Sequence, residues 1–153
     1  MIDWRWQKFS DIDTESLYQI LKLRIDIFVV EQNCPWSDLD NLDQQSWHLC
    51  AYENGLLAGY ARFLPPDEKR GLAMIQRVIV APNSRGTGLG RELMVRALAK
   101  AGELCPNIPV KIGAQARLEK FYRDLGFVPI SCPYDDLGIM HIDMIYNAAA
   151  KAA

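Results

Sequence analysis

The sequence predicts a mixed α/β protein, with one layer of sheet and helices packed against it. Three observations carry that prediction. Segments of alternating or β-branched character recur along the chain, segments with apolar residues at helical spacing lie between them, and turn residues separate the two kinds. In order, the elements run strand, helix, three strands, helix, strand, helix, two strands.

Ile2, Trp4 and Trp6 alternate with Asp3, Arg5 and Gln7, which gives an opening strand with an aromatic face. Asp13 or Thr14 can cap the helix that follows, since either side-chain oxygen can accept from an unpaired N–H of the first turn. Leu17, Ile20, Leu21 and Phe28 form its apolar stripe. The segment NCPWSDLDNLDQQ then reads as an acidic loop containing proline.

WHLCAYE and LLAGYARFL flank Asn54-Gly55, the pair favoured in a two-residue hairpin turn. After the charged turn PPDEKRG, AMIQRVIV ends in β-branched residues suited to a buried strand. Helical spacing resumes at Leu89 and runs to Gly102. A short strand around VKIGA, a helix through QARLEKFYRDL stopped by Gly126, a strand FVPI, a loop SCPYDDLG and a strand IMHIDMIY complete the order, before a frayed alanine tail.

A chain of 153 residues suits one domain, 1–153, and no linker or repeat divides it. A net charge of -2 argues against a nucleic-acid binder relying on basic excess. No apolar run approaches the roughly 20 residues of a membrane span, and MIDWRWQKF lacks the form of a secretory signal, so neither nucleic acid nor membrane is expected as a partner. Cys34, Cys50, Cys105 and Cys132 are scattered, with only His48 and His141 to complete a metal site. No metal is expected, and reduced thiols fit the cytoplasm.

Chemistry concentrates at RVIVAPNSRGTGLGRELM. A helix N-terminus exposes unpaired N–H groups with partial positive charge, so a strand-to-helix turn of low bulk can seat a phosphate. Gly86, Gly88 and Gly90 remove bulk there, and Arg85 adds a planar cation. The dinucleotide fingerprint fails because Arg91 stands at its third glycine, and the nucleotide P-loop fails for want of G-K-[ST]. What remains is R-x-x-G-x-G, or a mere glycine-rich turn. Tyr122 has two readings as well: its spacing with Leu118, Phe121 and Leu125 is that of a core stripe.

The Arg85–Gly90 pattern resembles the coenzyme A pyrophosphate motif of the GNAT superfamily of N-acetyltransferases. Gln115, Leu118, Tyr122 and Gly126-Phe127 are similar to a second family segment, with Gln and Leu where Asn and Ala are usual. LRIDIFVVEQNCPW, DLDNLD with His48, GAQ and PYDDLGIMH resemble the ElaA-like branch.

The resemblance implies a GNAT acyl-CoA N-acyltransferase fold: a central mixed, mostly antiparallel sheet with flanking helices. The strand of Val78, Ile79 and Val80 would splay from that of Val110 and Ile112, and acetyl-CoA would lie in the slot. It implies coenzyme contacts from Val78, Ile79, Val80, Arg85, Gly86, Thr87, Gly88, Leu89, Gly90, Arg91, Gln115, Leu118 and Tyr122. Tyr122 would act as general acid toward the coenzyme thiolate.

A lysine-like acceptor amine of pKa ~10.4 must also lose a proton, and Glu31, His48 and His141 are the candidate bases. Arg24, Phe28, Glu31 and His48 are expected at the acceptor pocket. The implied activity is acetyl transfer to a primary amine on a small molecule or peptide, by direct attack in a ternary complex. A coenzyme-binding sensor without catalysis is the alternative, and a homodimer is compatible with either.

Asp38, Asp40 and Asp43 lack the glycine and closing glutamate of a calcium loop, with Leu49 at its last position. They read as a solvated acidic loop or as an amine-attracting rim. Asn41, Gln76, Leu137 and Met140 depart from the family pattern.

Overall fold

The computed structural model describes residues 1–148; the alanine tail expected to fray lies outside them from residue 149 on. Among the described residues the elements are β1 (Ile2–Lys8), α1 (Thr14–Arg24), β2 (Trp47–Glu53), β3 (Leu56–Leu64), β4 (Ala73–Val80), α2 (Leu89–Leu104), β5 (Val110–Gln115), α3 (Glu119–Asp124), β6 (Val128–Pro129), β7 (Tyr134–Asp136) and β8 (Ile139–Tyr146). They form one sheet in the order β1-β2-β3-β4-β5-β8-β6, with β7 paired to β8. Every pairing is antiparallel except β4 with β5.

That parallel pair is the feature on which function turns. It holds for two residue pairs only, Ala73 with Val110 and Met74 with Lys111, and beyond them the strands separate. The mixed sheet and splayed pair are those expected from the family resemblance.

Helices cover both faces. Ile20 and Ile27 pack with Cys50, Tyr52, Tyr60 and Ile79 on one side. Met94, Ala97 and Ala101 of α2, with Tyr122 and Leu125, pack with Ile75, Ile112, Ala114, Ile142 and Met144 on the other. A Cβ placed on Gly59 of β3 would meet Leu93 Cδ1 at 3.0 Å and Leu89 Cδ2 at 3.2 Å, so the missing side chain lets α2 lie close on the sheet.

Asp13, not Thr14, caps α1, its Oδ1 accepting from the Ser16 N–H at 2.8 Å. After Arg24 the chain continues as π-helix over Ile25–Glu31 instead of ending, so Phe28 belongs to this wider turn. The buried positions of α1 are Ser16, Ile20 and Arg24 rather than the expected Leu17, Ile20 and Leu21. The Asn54-Gly55 hairpin forms as expected, with φ of 52° and 79°. Three other elements differ. The third helix is only six residues long, preceded by a 3₁₀ turn at Ala116–Leu118; FVPI contributes two strand residues; and the expected loop SCPYDDLG contains β7.

Adding a valine side chain where α2 lies close on β3 tests the packing. Gly59→Val should cost about 1–3 kcal/mol by overpacking against Leu89 and Leu93, read as a lower urea midpoint with unchanged slope.

Candidate functional site

Between the separated halves of β4 and β5 lies a cavity of about 250 Å³, lined by Ile75–Val78 of β4 and by Ile112, Gly113 and Gln115 of β5, with Tyr122 and His141 also on its walls. The π-helical segment contributes Phe28 and Val29, and the loop after it contributes Cys34, Trp36 and Asp38. A second cavity of about 240 Å³ shares Phe28, Gln32, Val78, Gln115 and Leu118 with the first and runs past Val80 to Arg85. The two adjoining cavities together run from Tyr122 and His141 to Arg85, the first residue of the glycine corner.

At that corner Gly88 caps α2 with φ of 86°, and Gly86 has φ of 77°, a region L side chains rarely enter. A Cβ on either would meet no atom within 4 Å, so their glycines serve backbone conformation and leave open space beside the N-terminus of a 16-residue helix. Gly90 faces Val80 and Phe121 at ordinary contact distance, Leu89 packs into the core, Thr87 donates to the Ser84 carbonyl, and Arg91 is exposed. Arg85 donates to Glu31 Oε1 at 2.8 Å, which places Glu31 in the second cavity and not in the first. Arg117, which the motif pattern did not single out, lines the same stretch.

Tyr122 is fixed edge-on between Phe121 and Phe127, at centroid distances of 5.0 and 5.9 Å. Its hydroxyl has no hydrogen bond to any described residue, and burial raises its pKa to about 12. His141 pairs through Nδ1 with the Ile139 carbonyl at 2.8 Å. A carbonyl only accepts, so Nδ1 carries hydrogen, and in the neutral ring the lone pair resides on Nε2.

An ionic floor meets the first cavity at Asp38 and Arg77, its two members on the cavity wall. Arg24 donates through Nε to Asp38 Oδ2 and through Nη1 to Asp43 Oδ1, both at 2.7 Å. Arg62 binds both oxygens of Asp40, at 2.9 and 2.7 Å, and reaches Asp43 and Gln76 as well. Arg77 donates to Asp38 Oδ1 at 2.8 Å. The acidic loop is thus not a solvated one: its three carboxylates are held by three arginines, two of them fully buried.

Arg77 reaches this network through a bulge. Tyr60 pairs with Ile79 and Arg62 with Gln76, so Arg77 and Val78 together oppose Ala61, and Arg77 takes φ of 55°. Three expected pocket residues lie elsewhere, Glu31 among them in the second cavity. Arg24 is consumed by the ion pairs, and His48 is buried with its nitrogens on the Tyr60 hydroxyl and the Asp43 carbonyl, at 2.6 and 2.8 Å. Phe28 does line the cavity.

Residues 28–148 match the family model described as an acetyltransferase (GNAT) domain. The chain belongs to the GNAT acetyltransferase family. Protein ElaA of Escherichia coli is 40% identical over 146 residues, covering 94% of this chain and 95% of that one. The crystal structure of E. coli ElaA superposes with a TM-score of 0.92 at 38% identity over 96% of this chain and 100% of that one. An acyl-CoA N-acyltransferase of Pseudomonas aeruginosa gives a TM-score of 0.91 at 39% identity, over 95% and 99%. This GNAT chain is therefore of the ElaA-like branch and of the acyltransferase class.

The ionic floor makes stability fall in acid in two stages. Burial holds the His48 pKa below 6.5, so the unfolded chain takes up a proton that the native state refuses, and stability declines as pH drops below 6.5. Burial opposes ionisation of Asp40, but its bonds to Arg62 win and hold it at about 2 against 3.8 when unfolded. That contribution is complete above 3.8 and vanishes as pH falls through about 2. Urea midpoints measured from pH 8 to 2.5 should show both declines, and His48→Gln should remove the first.

Proposed function

We propose that this protein transfers an acetyl group from acetyl-CoA to a primary amine, by direct attack in a ternary complex. The observation that carries the reading is the pair of adjoining cavities where β4 and β5 separate, with Arg85 before the phosphate-suited helix terminus at one end and Tyr122 and His141 at the other.

The residues present fit the coenzyme. The open glycine corner, the N-terminus of α2 and Arg85 suit its diphosphate, with Arg117 nearby. The edge of β4 beyond Met74 has no strand partner on the β5 side, so the backbone of Val78, Ile79 and Val80 can pair with an extended arm as another strand would. Gln115 and Leu118 form the facing wall. When bound, acetyl-CoA supplies an acetyl group activated as a thioester.

Deprotonating an amine of pKa ~10.4 near pH 7 costs roughly 4–5 kcal/mol. His141, on the cavity wall with its lone pair on Nε2, takes that proton directly or through water. Glu31 is engaged with Arg85, and His48 is sealed in the ionic floor, so neither is the base we assign. Burial raises the Tyr122 pKa to about 12, so its hydroxyl keeps its proton near pH 7 and can donate to the coenzyme sulfur. Its role is a hydrogen bond that strengthens as charge develops on sulfur.

Acetyl-CoA at 100 times its Kd should stabilise the fold by ~2.7 kcal/mol in a thermal melt, while NAD and ATP leave Tm unchanged. In an assay of thiol release with an amine library, Tyr122→Phe should lower kcat by about 10²-fold at similar KM for acetyl-CoA. His141→Gln should lower it by 10²-fold or more, up to ~10⁴. Release of thiol by both variants at the parent rate would remove these assignments.

Glu31 makes a second prediction of opposite sign for two roles. If it is a counter-ion that acetyl-CoA must displace from Arg85, Glu31→Gln tightens coenzyme binding and spares kcat. A lowered kcat with unchanged Kd would return it to the position of base.

A further inference from the structure

We propose that the acceptor is a monoamine carrying an aromatic or branched apolar body, selected by a two-sided clamp formed by Trp36 and Leu137 at the mouth of the slot. The inference rests on the transferase reading and adds the substrate class to it.

The first argument is backbone strain. The chain builds the same two-residue hairpin turn twice, with positive φ at both central positions. At β2–β3 the residues are Asn54 and Gly55, with φ of 52° and 79°. At β7–β8 they are Leu137 and Gly138, with φ of 55° and 88°. Asparagine and glycine accept this conformation readily, whereas a leucine pays a steric penalty in it. Its side chain gains little in return from packing, being 51% exposed. It does line the cavity. A strained apolar residue presented to a pocket is where strain serves binding rather than folding.

The second argument is another exposed apolar side chain on the same cavity. Trp36 lies in the loop after the π-helical segment, is 60% exposed, and lines the same cavity. The loop that carries Trp36 meets the turn that carries Leu137: the Cys34 thiol lies 3.9 Å from the Leu137 carbonyl oxygen. Phe28 and Val29 continue the apolar surface inward.

The third argument is what the ionic groups no longer do. Asp38 is the carboxylate on this cavity's wall, and both its oxygens are taken, Oδ2 by Arg24 and Oδ1 by Arg77. Arg77 itself lines the cavity as a cation. A polyamine or a lysine-rich peptide would bring further positive charge toward Arg77 with no unpaired carboxylate on the cavity wall to meet it, the exposed Asp136 beside Leu137 lying outside that lining. An apolar body meets indole and leucine instead.

The test compares initial rates of thiol release from acetyl-CoA with 2-phenylethylamine, isoamylamine, spermidine and a lysine-containing peptide. The two apolar monoamines should show the higher kcat/KM. Leu137→Asn supplies the residue the turn prefers, so Tm should rise, by about 2–4 °C for each kcal/mol of strain released. The same change should lower kcat/KM for the apolar amines by about tenfold or more. Trp36→Ala, at an exposed site, should act likewise without loss of Tm.

Higher kcat/KM for spermidine or the peptide would overturn the clamp while leaving the transferase reading intact. So would a Leu137→Asn variant of unchanged specificity. Absence of thiol release with every amine, from a protein that binds acetyl-CoA, would overturn both.

Discussion

The site depends on the set of ion pairs joining Arg24, Arg62 and Arg77 to Asp38, Asp40 and Asp43. Four segments meet in it: the end of α1, the acidic loop, and the neighbouring strands β3 and β4. Removing one partner of such a buried set leaves a charge uncompensated, typically at a cost of about 3–5 kcal/mol. The loop that carries Trp36 is consequently tied to the strand that carries Val78, and the cavity between them keeps its shape. Gln76 joins the set through its Oε1 on Arg62, which gives this departure from the family pattern a structural role.

The bulge in β4 is the partner of that network. Strict alternation would put Ile75 and Arg77 on the same face, among the apolar residues beneath α2. With one extra residue opposite Ala61, Ile75 and Val78 share that face instead, and Arg77 turns to Asp38. The unusual φ of Arg77 is thus compensated by charge-assisted hydrogen bonds. The same irregularity lies where β4 leaves β5, so the turn of one side chain and the opening of the slot occur over a few residues.

What was legible in the sequence was local. Asn54-Gly55 announced its hairpin, β1 its alternation, and the glycines after RVIV a corner at the start of α2, because each signal lies within a few consecutive residues. Arg24 was opaque because a charged side chain on the buried face of α1 contradicts the periodic pattern, and its compensation comes from residues 14 and 19 positions away. The acidic loop read as solvated for the same reason. Glu31 and Arg85, 54 residues apart, gave no sign of meeting. β7 was hidden by composition, since Tyr134, Asp135 and Asp136 are all exposed and owe their strand to pairing with β8.

The narrow join between β4 and β5 has a mechanical meaning. The strands before it and those after it share a seam two residue pairs long, supplemented by helices that span it. A linear molecule hydrogen-bonded into the gap lengthens the seam and fastens one half of the protein to the other. Tight retention of such a molecule and stiffness of the whole sheet then become a single thermodynamic quantity, so sequence changes that loosen the seam weaken retention without touching any group that contacts the molecule.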